Sequence, residues 1–287
     1  MFTFTRRSLL RLSLPVLCVS LSLTSARADL NGKLQILLLG DSTCEGSIPK
    51  KHDPTGPHHE DVVRMALAKE KDLPPATVIN QGRSGETIQG LLKRYDRDFA
   101  KIRSADYILI RYGINDHSKR ENFVENFPKD FHDLIARLRK NYPKAVIIPM
   151  TIIPFSGPAA SEQINGLIKK VAQDEKLPLF DIYPIYDAAL KKMGPNALNY
   201  RRFPLAKIPE ADRESVKDYV SGTPPMVEVM DTKLDEKFGK IPGWYGDRHP
   251  NAEGYKVIGE ATAAYLTPMI RQRMQAQAQA QAQPAKK

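Results

Sequence analysis

The feature that most limits how this chain can fold is an alternation. Short runs of β-branched and aliphatic residues recur along it, and each is followed by a longer stretch whose apolar residues fall at helical spacing. Five runs, 34–39, 77–80, 107–111, 145–150 and 177–182, are too short to prefer helix and read as strands. Between them Ile88, Leu91, Leu92, Tyr95 and Phe99 form one helical stripe, Val124, Phe127, Phe131, Leu134 and Leu138 a second, and Ile164, Leu167, Ile168 and Val171 a third. A last helix is predicted from Pro250, with Ile258, Ala261, Tyr265 and Met269 on its buried face. Strands that are apolar throughout rather than alternating must be covered on both faces, which parallel strands joined by crossover helices achieve. The expected fold class is therefore α/β, a three-layer α/β/α sandwich with a five-stranded parallel sheet. In such sheets ligands bind beyond the carboxyl ends of the strands, so chemistry should gather there.

The two ends are set apart by composition. In residues 1–28, Arg6 and Arg7 precede an apolar run from Leu9 to Leu23, and Ala26-Arg27-Ala28 supplies small residues at cleavage positions. This is the pattern of an export signal, placing the mature protein in the periplasm or outside the cell. Arg6-Arg7 also suits the twin-arginine route, and the ordinary secretory route stays open. A membrane-spanning helix fits poorly, because the run is shorter than the ~20 residues needed and contains Pro15. Cleavage after Ala28 would remove Cys18 and leave Cys44 without an intrachain partner. It would also lower the net charge from +10 to +6, since four arginines and no acids depart. The remaining Lys and Arg are scattered, which argues against nucleic acid as a partner and leaves an acidic polymer or a merely solvated surface. Residues 29–272 are expected to form one domain, with a long insertion over 193–246 that carries Pro195, Pro204, Pro209, Pro224, Pro225 and Pro242 and little periodicity. An irregular surface loop and a lid or substrate-binding role fit it equally. Residues 273–287, rich in Gln and Ala, are expected to be a disordered tail or a fraying helix extension.

Four short blocks carry the chemistry. Gly40-Asp41-Ser42-Thr43 follows the first strand, Asn80-Gln81-Gly82-Arg83-Ser84-Gly85 the second, and Gly113-Ile114-Asn115-Asp116 the third, while Asp247-Arg248-His249-Pro250-Asn251 opens the last helix. Any one of them fits an ordinary turn, and Gly-Asp-Ser reads equally well as a helix N-cap. All four fall where the topology brings the chain to one edge of the sheet. A hydroxyl, an imidazole, an amide and backbone N–H groups gathered there are the parts needed for acyl transfer. Asp41, Asp116 and His117 lie beside the predicted mouth and are candidate substrate contacts, with a structural hydrogen bond as the plainer alternative. His52, His58 and His59 with Asp53 and Asp61 lack ordered ligand spacing, so neither metal nor cofactor is expected. Cys44 reads as a small buried side chain.

In content and order these blocks resemble those of the SGNH or GDSL hydrolase superfamily, across almost the whole domain. The resemblance implies a flavodoxin-like SGNH hydrolase fold. It also implies Ser42 as nucleophile, His249 as base, and an oxyanion hole of the Ser42 and Gly82 N–H groups with the Asn115 side chain. The family's acid stands three residues before the histidine, but here that position is Gly246 and the aspartate is Asp247, two before. Asp247 as the third member, or a Ser–His dyad oriented by a backbone carbonyl, both remain open. The implied activity is hydrolysis of small O-acyl esters, foremost O-acetyl, on a carbohydrate by an exported enzyme. Arg201, Arg202, Lys207 and Arg213 of the insertion would suit acidic sugars. The alternatives are a lipid esterase or lysophospholipase of the same fold, a non-catalytic carbohydrate-binding relative, and an acetyltransferase in which a sugar hydroxyl replaces water.

Overall fold

The computed structural model describes residues 32–282, so the expected signal segment and residues 283–287 lie outside the described residues. Strands β1 (Leu34–Gly40), β2 (Ala76–Asn80), β3 (Tyr107–Arg111) and β4 (Val146–Pro149) form a parallel sheet in the order β2-β1-β3-β4. Helices α1 (Ser42–Glu45), α2 (Ser47–His52) and α3 (His59–Leu67) follow β1; α4 (Ile88–Phe99) follows β2; α5 (Ile114–Lys119) and α6 (Phe123–Asn141) follow β3. After β4 come α7 (Pro158–Asp174), α8 (Tyr183–Met193), the short α9 (Asp235–Phe238) and α10 (Ala252–Ala282). Strand period decides the layers. Leu37, Leu39, Ile108, Ile110 and Ile147 face α4, α6 and α7, whereas Ile36, Leu38, Leu109 and Ile148 face α3, α8 and α10. Within the helical stripes Val124 proves exposed and Phe123 is buried in its stead, while the inner face of α10 is carried by Tyr255, Ile258, Leu266 and Ile270, with Ala261, Tyr265 and Met269 at its margin.

The sheet has four strands, not the five expected. The segment 177–182 makes a single parallel bridge, with the Phe180 N–H donating to Pro149 C=O (3.0 Å) and the Thr151 N–H to Phe180 C=O (3.1 Å). The next bridge back would need N–H donors at positions 178 and 149, and both are proline. On the other side the backbone turns at once into α8.

The 193–246 insertion is ordered rather than irregular. Its strands β5 (Arg201–Pro204), β6 (Val220–Ser221) and β7 (Met226–Val229) form an antiparallel sheet in the order β5-β7-β6. Trp244, Phe203, Phe238, Ile208, Val216, Val227 and Val229 make a core of their own against it. Asp235 ties this core to the strand edge, accepting from Arg201 Nε and from Trp244 Nε1, each at 2.8 Å. Of the two forms expected for the tail, α10 takes the helix extension, continuing through the Gln/Ala repeat as far as Ala282. Ala and Gln are good helix formers, and a helix already nucleated by packing propagates cheaply. Among the described residues no helix is long and apolar enough to cross a membrane.

Trp244 is fully buried at the centre of the small core. Trp244→Ala should therefore lower stability by about 3–5 kcal/mol, read as a reduced denaturation midpoint. An unchanged midpoint would show that this subdomain does not unfold together with the main sheet.

Candidate active site

β1 runs directly into α1, and the turn between them is sharp enough that a Cβ on Gly40 would lie 2.5 Å from Cys44 Cβ and 2.9 Å from the Arg111 carbonyl oxygen. Asp41 caps α1: its Oδ1 accepts from the Thr43 N–H at 2.9 Å and the Thr43 hydroxyl at 2.8 Å. Burial pushes the Asp41 carboxyl pKa up despite these bonds. Asp41 is thus a buried cap and not the substrate contact the sequence suggested. Its work is to leave Ser42 at the first turn of α1 with its hydroxyl at the sheet edge.

The imidazole arrives from the other end of the domain. His249 Nε2 lies 2.8 Å from Ser42 Oγ, although the two residues are 207 positions apart. Behind it, Asp247 Oδ1 lies 2.6 Å from His249 Nδ1 and also accepts the His249 backbone N–H at 3.0 Å. The unusual spacing works through this local turn, because one carboxylate oxygen closes the loop and engages the ring together. With Nδ1–H donating to Asp247, Nε2 is left as an acceptor for the serine hydroxyl. Phe155 meets the ring edge-on at 4.8 Å and Tyr200 stacks at 5.7 Å with planes 7° apart, so the imidazole has little room to swing. Asn251 pins the start of α10, its Nδ2 donating to the carbonyls of Ala197 (2.9 Å) and Asn199 (3.2 Å).

Asn115 sits in the first turn of α5, just past Gly113, whose φ of 132° and lack of a Cβ allow close approach to Ile164. Its Nδ2 donates to the Glu86 carbonyl at 3.2 Å, which leaves the second amide hydrogen for another acceptor. Gly82 is not brought to the site as expected. Its N–H is taken by Asn80 Oδ1 at 2.9 Å, and a Cβ there would lie 2.6 Å from the Glu45 nitrogen, so this glycine serves close packing against α1. Gly85, with φ +74°, lies instead on the wall of the cavity beside Asn115. Asp116 and His117 are also turned elsewhere. Asp116 is fully buried, caps α4 by accepting the Ile88 N–H at 2.9 Å, and is pushed up to a pKa of about 7 by burial. His117 Nε2 lies 3.0 Å from Gln163 Oε1, and its ring packs edge-on against Phe123, outside the cavity.

These groups open on a cavity of about 400 Å³ lined by Ser42, Ser84, Gly85, Asn115 and His249, with Ile48, Pro49 and Phe155 as an apolar wall and Tyr200, Arg202 and Tyr255 on another side. Tyr200, Tyr255, Phe155 and the α2 wall carried no mark in the sequence. Of the four basic residues noted in the insertion, Arg202 lines the cavity, whereas Arg201 is buried against Asp235 and Arg213 Nε donates to the Ile208 carbonyl. Among the described residues no cluster of three or more His, Cys, Asp or Glu is placed to hold a metal ion. His59 lies buried beside Cys44, where burial pushes its pKa down to about 3 and the Cys44 thiol up to about 12.

At the rim, Glu228 of β7 is 3% exposed and joins the insertion to α2. It accepts from Ser221 Oγ (2.7 Å) and Lys51 Nζ (3.0 Å), and His52 Nε2 lies at 2.8 Å. Burial alone would raise the Glu228 pKa, but the bonds from Ser221, His52 and Lys51 outweigh it and hold the carboxyl down at about 2. A depressed folded-state pKa means the contribution is complete above the ordinary value of 4.5 and is lost as pH falls from there toward about 2. Unfolding measured from pH 7 to pH 2 should therefore show Glu228→Gln less stable at neutral pH and less sensitive to acid across that window. Parallel stability curves for the two proteins would contradict this.

Residues 38–257 match the GDSL-like lipase/acylhydrolase family. No curated protein is similar enough to count as a match. Among solved structures, the chain is similar to LAE5, an α/β hydrolase enzyme from the metagenome of Lake Arreo, Spain (TM-score 0.54, 19% identity, covering 80% of this chain and 94% of that one). It is similar to the lipase/acylhydrolase from Enterococcus faecalis (0.52, 18%, 82% and 96%). It is also similar to Axe2, an acetylxylan esterase from Geobacillus stearothermophilus (0.52, 18%, 82% and 93%). At these identities the likeness speaks for a shared fold.

Proposed function

Because the chain belongs to the GDSL-like lipase/acylhydrolase family and is a serine ester hydrolase, we propose that Ser42, His249 and Asp247 form its catalytic triad and that it removes small O-acyl groups, foremost acetyl, from a carbohydrate. The observation that carries this reading is the unbroken relay from Asp247 Oδ1 to His249 (2.6 Å) to Ser42 Oγ (2.8 Å) at the mouth of a cavity. In the first half-reaction His249 takes the hydroxyl proton as Ser42 Oγ attacks the ester carbonyl, then hands it to the departing sugar oxygen, leaving an acyl-serine. In the second, water loses a proton to His249, adds to the acyl carbon, and the proton returns to Ser42 as the acid leaves. Asp247 keeps the proton on Nδ1 and offsets the charge of the transient imidazolium.

The oxyanion formed in each half-reaction meets the Ser42 N–H, the free amide hydrogen of Asn115 and, in place of Gly82, the N–H of Gly85 on the cavity wall. Several features favour a carbohydrate ester. The wall sets Ser84, Tyr200, Tyr255 and Arg202 beside the apolar Ile48, Pro49 and Phe155, and one solved structure of this fold is an acetylxylan esterase. The charge and apolar pattern of residues 1–28 supports export, which would place the enzyme where polysaccharides lie.

Ser42→Ala should abolish ester turnover. Asn115→Ala should lower kcat by about 10²–10³ in a folded protein. Asp247→Asn, which keeps the shape but disfavours the needed tautomer, should lower kcat by about 10³–10⁴, and near-full activity would instead indicate a dyad. Rates on 4-nitrophenyl esters of rising acyl length should fall beyond the shortest chains. Much faster cleavage of long chains would favour a lipid esterase.

A further inference from the structure

We propose that Arg202, held at the cavity rim by Glu228, selects esters that carry a carboxylate of their own, such as an O-acylated uronic acid. This rests on the reading of Ser42 and its cavity as an esterase site and names the class of substrate that site prefers. Three observations support it. Among the described residues lining the cavity there is no Asp or Glu, and Arg202 supplies a permanent positive charge. Strand period separates the two neighbouring arginines: Arg201 is 1% exposed and spent on Asp235, whereas the Arg202 side chain is 46% exposed. Arg202 also stands directly opposite Glu228 in the β5–β7 ladder, with Nε 3.4 Å from Glu228 Oε1.

That ion pair uses the Nε side of the guanidinium, and among the described residues Nη1 and Nη2 make no hydrogen bond. The free end is the fork that grips a carboxylate with two parallel bonds. The acids nearby do not compete for the space. Asp247 is engaged behind His249, and Glu45 accepts the N–H and hydroxyl of Ser84. Outside the cavity lining, Lys119 Nζ donates to the carbonyl of the wall residue Gly85 at 2.6 Å, a second positive charge near the site. The ion pair with Glu228 biases the guanidinium toward the rim, which lowers the entropy lost when an anion binds.

The test compares an O-acetylated methyl uronoside with its carboxamide, which keeps the shape but removes the charge and one of the two acceptor oxygens. Acetate release by the wild-type enzyme should favour the acid by about tenfold or more in kcat/KM, and the preference should shrink as salt is raised. Arg202→Gln should bring the acid-to-amide ratio close to one, and Arg202→Lys should restore part of it. Calorimetry with Ser42→Ala protein reads the same ratio as binding affinity, so it holds whether or not turnover occurs. Absence of turnover in the wild type with a charge preference in binding would sink the esterase reading and leave this inference standing. An acid-to-amide ratio near one in the wild type, or one that survives Arg202→Gln in both measurements, overturns it.

Discussion

Everything at the cavity depends on one clasp, the side-chain amide of Asn251 on the backbone of 197–199. The nucleophile belongs to the first strand and the base to the loop before the last helix, so their contact closes nearly the whole domain. Asn251 Nδ2 reaches two carbonyls, its Oδ1 accepts the Gly254 N–H at 3.0 Å, and its own N–H donates to Leu198 C=O at 2.9 Å. Gly254 permits this approach, since a Cβ would lie 2.4 Å from the Leu198 oxygen. The start of α10 is thereby welded to the stretch that leads into β5, and the subdomain that supplies Tyr200 and Arg202 is fixed to the helix whose preceding loop presents His249.

Beneath the opposite wall lies a buried polar platform. Glu86 accepts from Arg94 Nε and Nη2, each at 2.6 Å, and from the Tyr112 hydroxyl at 2.7 Å, while Arg94 Nη2 also donates to the Gln81 carbonyl at 2.7 Å. A buried ion pair of this kind contributes little net stability, because desolvation of both charges opposes it. It does fix the shape of the 81–86 loop, whose Glu86 carbonyl orients Asn115 and whose Gly85 faces the cavity. Donors set in place before the substrate arrives need no rearrangement when charge develops on the carbonyl oxygen.

How far the sequence could be read follows from these contacts. The sheet, the helical stripes and the four blocks were legible because each is set by local period or by a strand end. Which glycine faces the cavity was not, since nothing in Asn80–Gly85 shows that the Asn80 side chain consumes the Gly82 N–H and spares Gly85. For Asp41 and Asp116 the sequence left substrate contact and structural hydrogen bond side by side, because a carboxylate beside a catalytic block reads as exposed unless its capping role is seen. The spacing of Asp247 looked like a departure, yet the turn it makes on the His249 N–H brings its carboxylate to the ring. The insertion hid its sheet because strands of two to four residues are too short to display a period.

The paired absence of donors at Pro149 and Pro178 has a consequence beyond strand number. In β4 the Val146 and Met150 N–H groups point toward β3, so those of 147, 149 and 151 point away from it. Position 149 has none and Thr151 is occupied by Phe180. A stray extended peptide seeking to add itself to this margin would find only Ile147 offering a regular partner, and would be refused registry after one step. The place of two rings in the chain thus leaves this margin of the sheet with little to offer a further strand.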